Sequence, residues 1–107
     1  MRYIELNNNL PNQKFNIAVS NGTLEVELKT VDKITLMSVN FNGSNVVSSI
    51  KVAPNVLLIG YNHLQEQVGD FIFTTQDNEY PYYENFNNAN KLYYLDYEEV
   101  KEHNATK

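Results

Sequence analysis

The sequence has 107 residues, 42% of them hydrophobic, with thirteen acidic against eight basic side chains and no cysteine. A chain of that size can close one core without a disulfide or a metal, and the missing thiols exclude disulfides and thiolate chemistry while leaving the compartment open. The formal charge of -5 is concentrated late, with five basic and four acidic side chains over residues 1–64 and three against nine over 65–107, so direct nucleic-acid binding and an anionic membrane surface are both disfavoured.

Taken in order, the chain shows mostly two-residue alternation. Its opening, MRYIELNNN, lacks the apolar stretch of a secretory leader, no apolar run of membrane-spanning length follows, and Tyr3 to Leu6 reads as a short first strand. Lys14 to Ser20 puts Phe15, Ile17 and Val19 on one face, and Thr23 to Thr30 does the same with Leu24, Val26 and Leu28. Asn21-Gly22 between them predicts a type I′ hairpin turn, which would oppose Val19 to Leu24, Ile17 to Val26 and Phe15 to Leu28. Asn42-Gly43 predicts a second hairpin, Lys33 to Phe41 against Ser44 to Val52, with Val39 opposite Val46 and Met37 opposite Ser48. There the apolar phase slips between Leu36 and Met37, as a β-bulge would make it.

Ala53-Pro54-Asn55 then breaks the chain, Val56 to Ile59 reads as a short apolar strand, and Gly60 to Asp70 as an irregular connection. Phe71 to Thr75 and Lys91 to Tyr97 are the last two strands. The expected fold is all-β: one domain over 1–97, a small antiparallel barrel or sandwich of about eight short strands with a long loop before the last, and no amphipathic helix. Residues 98–107 are expected to be a charged tail that frays or makes a short helical turn.

Little in the chain looks like catalysis. His63 and His103 are its only histidines, and no spacing of histidine and carboxylate makes a metal motif. No glycine-rich cradle precedes a helix. Asp77, Glu79 and Glu84 lie among aromatics as glycosidase acids do, but hydrolysis needs a cleft that so small a domain rarely builds. Three Asn-x-Ser/Thr sequons, at Asn21, Asn42 and Asn104, are expected by chance in a chain so rich in asparagine. The expectation is therefore no enzyme, with no catalytic residue, no metal and no cofactor.

Residues 77–88, DNEYPYYENFNN, gather four aromatic side chains, four asparagines and three acids around one proline. That composition resembles the core of a protein interface, where rigid rings cover area at low entropic cost. The loop from Gln76 to Asn90 is long for a compact domain, and such loops are either functional or tied down by their own side chains. Both readings stay open here. As a docking surface its candidate contact residues are Tyr80, Pro81, Tyr82, Tyr83, Phe86 and Asn88. The alternative is a non-catalytic carbohydrate-binding or adhesion module that presents the same rings and amides to a sugar.

Several phrases taken together, LPNQKFNI, APNVLLIGYNHL and GDFIFTTQDNEYPYYENFNNANKLYYL, resemble the small baseplate plug proteins of contractile-tailed phages, the cyanophage type among them. The matching positions are Pro11, Asn12, Gln13 and Phe15, then Pro54, Leu57, Leu58 and Tyr61, then Gly69, Phe71 to Phe73, Asp77 and Leu92 to Leu95. The resemblance runs over roughly residues 3–97, is poor over 29–50, and the Tyr- and Asn-rich loop departs from the family pattern. It implies a structural virion protein of the tail baseplate, assembled in the host cytoplasm and present in several copies around the tail axis. Its implied partners are other tail or baseplate proteins, the hub and tail tube, and other copies of itself, without nucleic acid or membrane. An acidic surface would suit a place beside a tube lumen, because it would not hold passing DNA.

Overall fold

A computed structural model describes residues 1–105, among which seven strands form two antiparallel sheets. The chain is all-β, as its alternation predicts; among the described residues seven strands stand against the expected count of about eight, and the two sheets do not close into a barrel. The larger sheet is a meander of β2 (Gln13–Val19), β3 (Gly22–Val31), β4 (Ile34–Phe41) and β5 (Ser44–Lys51). The smaller sheet has the order β1 (Arg2–Ile4), β7 (Lys91–Leu95), β6 (Asp70–Thr74). One core joins the inner faces of both, with Ile17, Leu24, Val26, Leu28, Met37 and Val39 from the meander meeting Phe71, Phe73, Leu92 and Tyr94.

The first hairpin forms with the predicted faces but a different register. Its turn is Ser20-Asn21, so Val19 opposes Gly22, Ile17 opposes Leu24 and Phe15 opposes Val26. The physical reason lies in the neighbouring hairpin. The Asn42 side chain crosses the backbone at Gly22, accepts the Thr23 N–H at 2.9 Å, and would stand 2.2 Å from a Cβ placed on that glycine. Gly22 is thus required by close approach rather than by the turn, and the two-residue shift keeps every side chain on its predicted face.

Asn42 (φ 48) and Gly43 (φ 86) do make the expected turn between β4 and β5. Phe41 opposes Ser44, but irregularities further along shift the ladder so that Val39 meets Val47 and Met37 meets Ile50. Extra residues in β5 absorb the slip that the pattern shows at Leu36 and Met37, with Ser49 at φ 48. A third hairpin turn, Asp32-Lys33, holds both residues left-handed, at φ 48 and 67, with no glycine to signal it. A lysine there is strained. Lys33→Gly should therefore stabilise the protein by about 0.5–1 kcal/mol, read as a higher urea midpoint with unchanged slope; an unchanged or lower midpoint would show that the turn holds no such strain.

One helix replaces a segment expected to be irregular, and a second makes a regular helix of the tail expected to fray or form a short helical turn. Asn62–Val68 is α1, inside the stretch read as an irregular connection, and Tyr97–Ala105 is α2, where the charged tail begins. Asp96 caps α2: its carboxylate accepts the Glu99 N–H at 2.9 Å while Glu99 accepts the Asp96 N–H at 3.1 Å. This is a reciprocal capping box. The other Glu99 oxygen bonds the Met1 ammonium, and these bonds, the ammonium first, hold the Glu99 carboxyl below its ordinary value. Val100 docks α2 beneath β6 and β7, beside Ile72 and Leu95. Val56 to Ile59 is not a strand; one isolated bridge, Leu57 to Ile72, fixes it along β6.

Candidate functional site

The loop between β6 and β7 is built largely by asparagines. Asn55 accepts the Thr75 N–H at 3.0 Å and donates to Asn78 at 2.9 Å, which secures the loop where it leaves β6. Asp77 and Asn78 then take left-handed conformations, φ 53 and 55, and the Glu79 N–H reaches the Gln76 carbonyl at 3.1 Å to close a tight turn. A single 3-10 turn over Tyr83–Asn85 follows. Buried Asn90 is the central strut: its side-chain oxygen accepts the Tyr82 N–H at 2.9 Å and its side-chain amide donates to Glu79 at 3.1 Å. Asn87 ties the loop to the first strand's exit, accepting both the Tyr3 hydroxyl (2.8 Å) and the Leu6 N–H (2.9 Å) while donating to the Leu6 carbonyl. Among the described residues, no buried side-chain nitrogen or oxygen lacks a hydrogen-bond partner.

The six candidate contact residues divide between inside and outside. Phe86 is only 1% exposed and stacks on Phe73, with ring centroids 5.5 Å apart. Pro81 is buried as well, and its carbonyl accepts the Thr35 hydroxyl of β4 at 2.8 Å, pinning the loop to the larger sheet. Both residues therefore act as anchors into the protein's own core. Tyr82 and Tyr83 are half-buried, their rings 4.8 Å apart. Partial desolvation raises the Tyr83 phenol above its ordinary value, with Tyr82 and Glu84 pushing the same way. Tyr80 stands outside, 50% exposed, with the Lys51 ammonium 4.7 Å from its ring centroid. Asn88 is exposed.

The acids of the loop do not act as one group. Glu79 is engaged with Asn90, whereas Asp77 and Glu84 are exposed. No cluster of three or more histidine, aspartate or glutamate side chains among the described residues could hold a metal ion. The most connected carboxylate lies elsewhere: Asp70, fully buried at the start of β6, accepts N–H groups of Ile59 (2.8 Å), Gly60 (3.0 Å) and Phe71 (2.6 Å) and the Gln65 amide (2.7 Å). Four donors converging from a turn, a helix and a strand make it a structural brace. No helix among the described residues is long and apolar enough to cross a membrane.

A family model described as cyanophage baseplate Pam3 plug gp18 matches residues 1–98. The chain belongs to that family. A search of curated proteins found no match. Membership in the baseplate plug family supports a structural role in a phage baseplate and a place in the virion. The match takes in both sheets, the asparagine-braced loop and the start of α2.

Proposed function

We propose that the protein works as a baseplate plug that joins neighbouring hub or tail-tube subunits through protein–protein contacts, with Tyr80, Tyr82 and Tyr83 as the contact rings and Asn88 at their margin. The observation that carries this reading is the division of the loop: Phe86 and Pro81 are fixed inside while Tyr80 is held out on the same rigid segment. Rings presented by a braced loop lose little freedom on docking, which favours tight contact. The function is mechanical, a matter of shape and adhesion between subunits rather than turnover, and the acidic later part of the chain suits a position beside a tube that passes DNA.

Replacing Tyr82 and Tyr83 together with alanine tests the assignment. The variant is expected to fold, losing about 1–2 kcal/mol because both rings are only half-buried, and to enter assembled baseplates at roughly a tenth of the wild-type level or less, a loss of the size expected when anchor residues are truncated. Quantifying the variant in purified tails after complementation gives the result. Wild-type incorporation would overturn the loop as the contact, and saturable binding to a glycan array that disappears with the tyrosines would favour a sugar-binding module instead.

A further inference from the structure

The two sheets meet along two lateral seams, and the chain closes only one of them. On the β5/β6 side, the Val52 N–H still bonds the Thr35 carbonyl of β4, and three residues later the chain has crossed to the other sheet. There Asn55 and Leu58 donate to Phe73 and Phe71 of β6 at 2.8 and 2.9 Å. One short segment, turning at Pro54-Asn55, thus stitches the sheets together. On the opposite side β1 and β2 are the terminal strands of their sheets, and among the described residues no strand lies against their outer edges. Between them runs a groove of about 390 Å³, walled by Arg2–Glu5 on one side and Phe15–Ala18 on the other.

A side chain, not a backbone ladder, crosses this groove: the Arg2 guanidinium donates to the Ala18 carbonyl at 3.1 Å. Directly paired strands would stand about 4.8 Å apart, so a gap that takes an arginine to span has room for main chain. The wall is also ready to pair. Val19 and Gly22 oppose each other across a two-residue turn, which is the position of a hydrogen-bonded pair in such a hairpin. Antiparallel alternation then turns the main-chain groups of Ala18, Asn16 and Lys14 away from β3 and towards the groove, where the Ala18 carbonyl already takes Arg2 and the three N–H groups face outward. Half-buried Ile4 and Phe15 and buried Ile17 reach the core from the walls, and Arg2 and Glu5 mark the ends of the β1 wall with opposite charge.

We infer that this seam receives an extended segment of a different tail protein, about four residues long, which pairs by its main chain with the outer edge of β2 and carries an acidic side chain at the Arg2 end. It would do for the assembled baseplate what residues 52–58 do within the chain. A second copy of this protein fits less well, because it would have to bring the edge of a folded two-sheet body between the two walls. Free edges invite pairing, and here the two of them face a single groove. The inference rests on the proposed joining role and names a second contact for it.

Amide hydrogen exchange, measured by mass spectrometry on the free protein and on purified baseplates, tests this directly. Exchange at Lys14, Asn16 and Ala18 is expected to slow by about ten-fold or more in the assembly, as for amides that gain a ladder partner. Asn16→Pro, which removes an N–H pointing away from β3, should keep the fold and abolish that protection. Protection of residues 77–88 with none along β2 would overturn the seam contact and leave the joining role standing. Protection at neither place would overturn both.

Discussion

Asp70→Ala should lower the stability of the protein by about 3–5 kcal/mol, a large share of the roughly 5–15 kcal/mol that holds a domain of this kind together. The carboxylate is fully buried and serves four donors, three of them main-chain N–H groups. Deleting it leaves the Ile59 and Phe71 amides and the Gln65 side chain with no acceptor in a place water reaches poorly, each costing about 1–3 kcal/mol before relaxation. Thermal unfolding should fall by roughly 15–30 °C. Asp70→Asn keeps one oxygen but aims an NH2 group at donors, so its loss should be smaller and still above about 1 kcal/mol. A midpoint within about 1 kcal/mol of wild type for the alanine variant would show that the brace is dispensable.

Phe86→Ala is expected to cost about 3–4 kcal/mol, through lost burial and the cavity left against Phe73. Phe86→Leu, which fills most of the space, should cost about 1–1.5 kcal/mol. The pair of variants separates an anchor that holds the loop from a ring that touches a neighbour. If Phe86→Ala kept full stability in urea yet failed to enter baseplates, Phe86 would be a contact residue despite its burial. Phe86→Leu should enter baseplates normally, since Tyr80, Tyr82 and Tyr83 keep their places.

What the sequence shows of this fold is the part that depends on period two. Alternation over Phe15, Ile17 and Val19 and over Leu24, Val26 and Leu28 assigns the inner face correctly even though the register is offset, because a two-residue shift leaves facing unchanged. The register itself depended on Asn42, far along the chain, lying over Gly22. The Asp32-Lys33 turn escapes reading because neither residue is a glycine, although aspartate tolerates the left-handed region. Helix α2 carried a legible sign in Asp96-x-x-Glu99, hidden by the surrounding charge, whereas α1 is seven residues long and offers no capping side chain. In the loop, composition shows rings and amides but not which rings turn inward. Phe86 and Tyr80 differ in their surroundings, Phe73 for one and Lys51 at the surface for the other, and neither neighbour is close in sequence.

The order β1-β7-β6 has a consequence for how the chain is made. The meander needs only consecutive strands, so its ladders can zip soon after each hairpin emerges from the ribosome. Strand β1 precedes the meander in the chain, yet it has no ladder to join until β7, the last of the seven described strands, has emerged. The smaller sheet is therefore a late-closing clasp, and a strand made before the whole meander is among the last to settle.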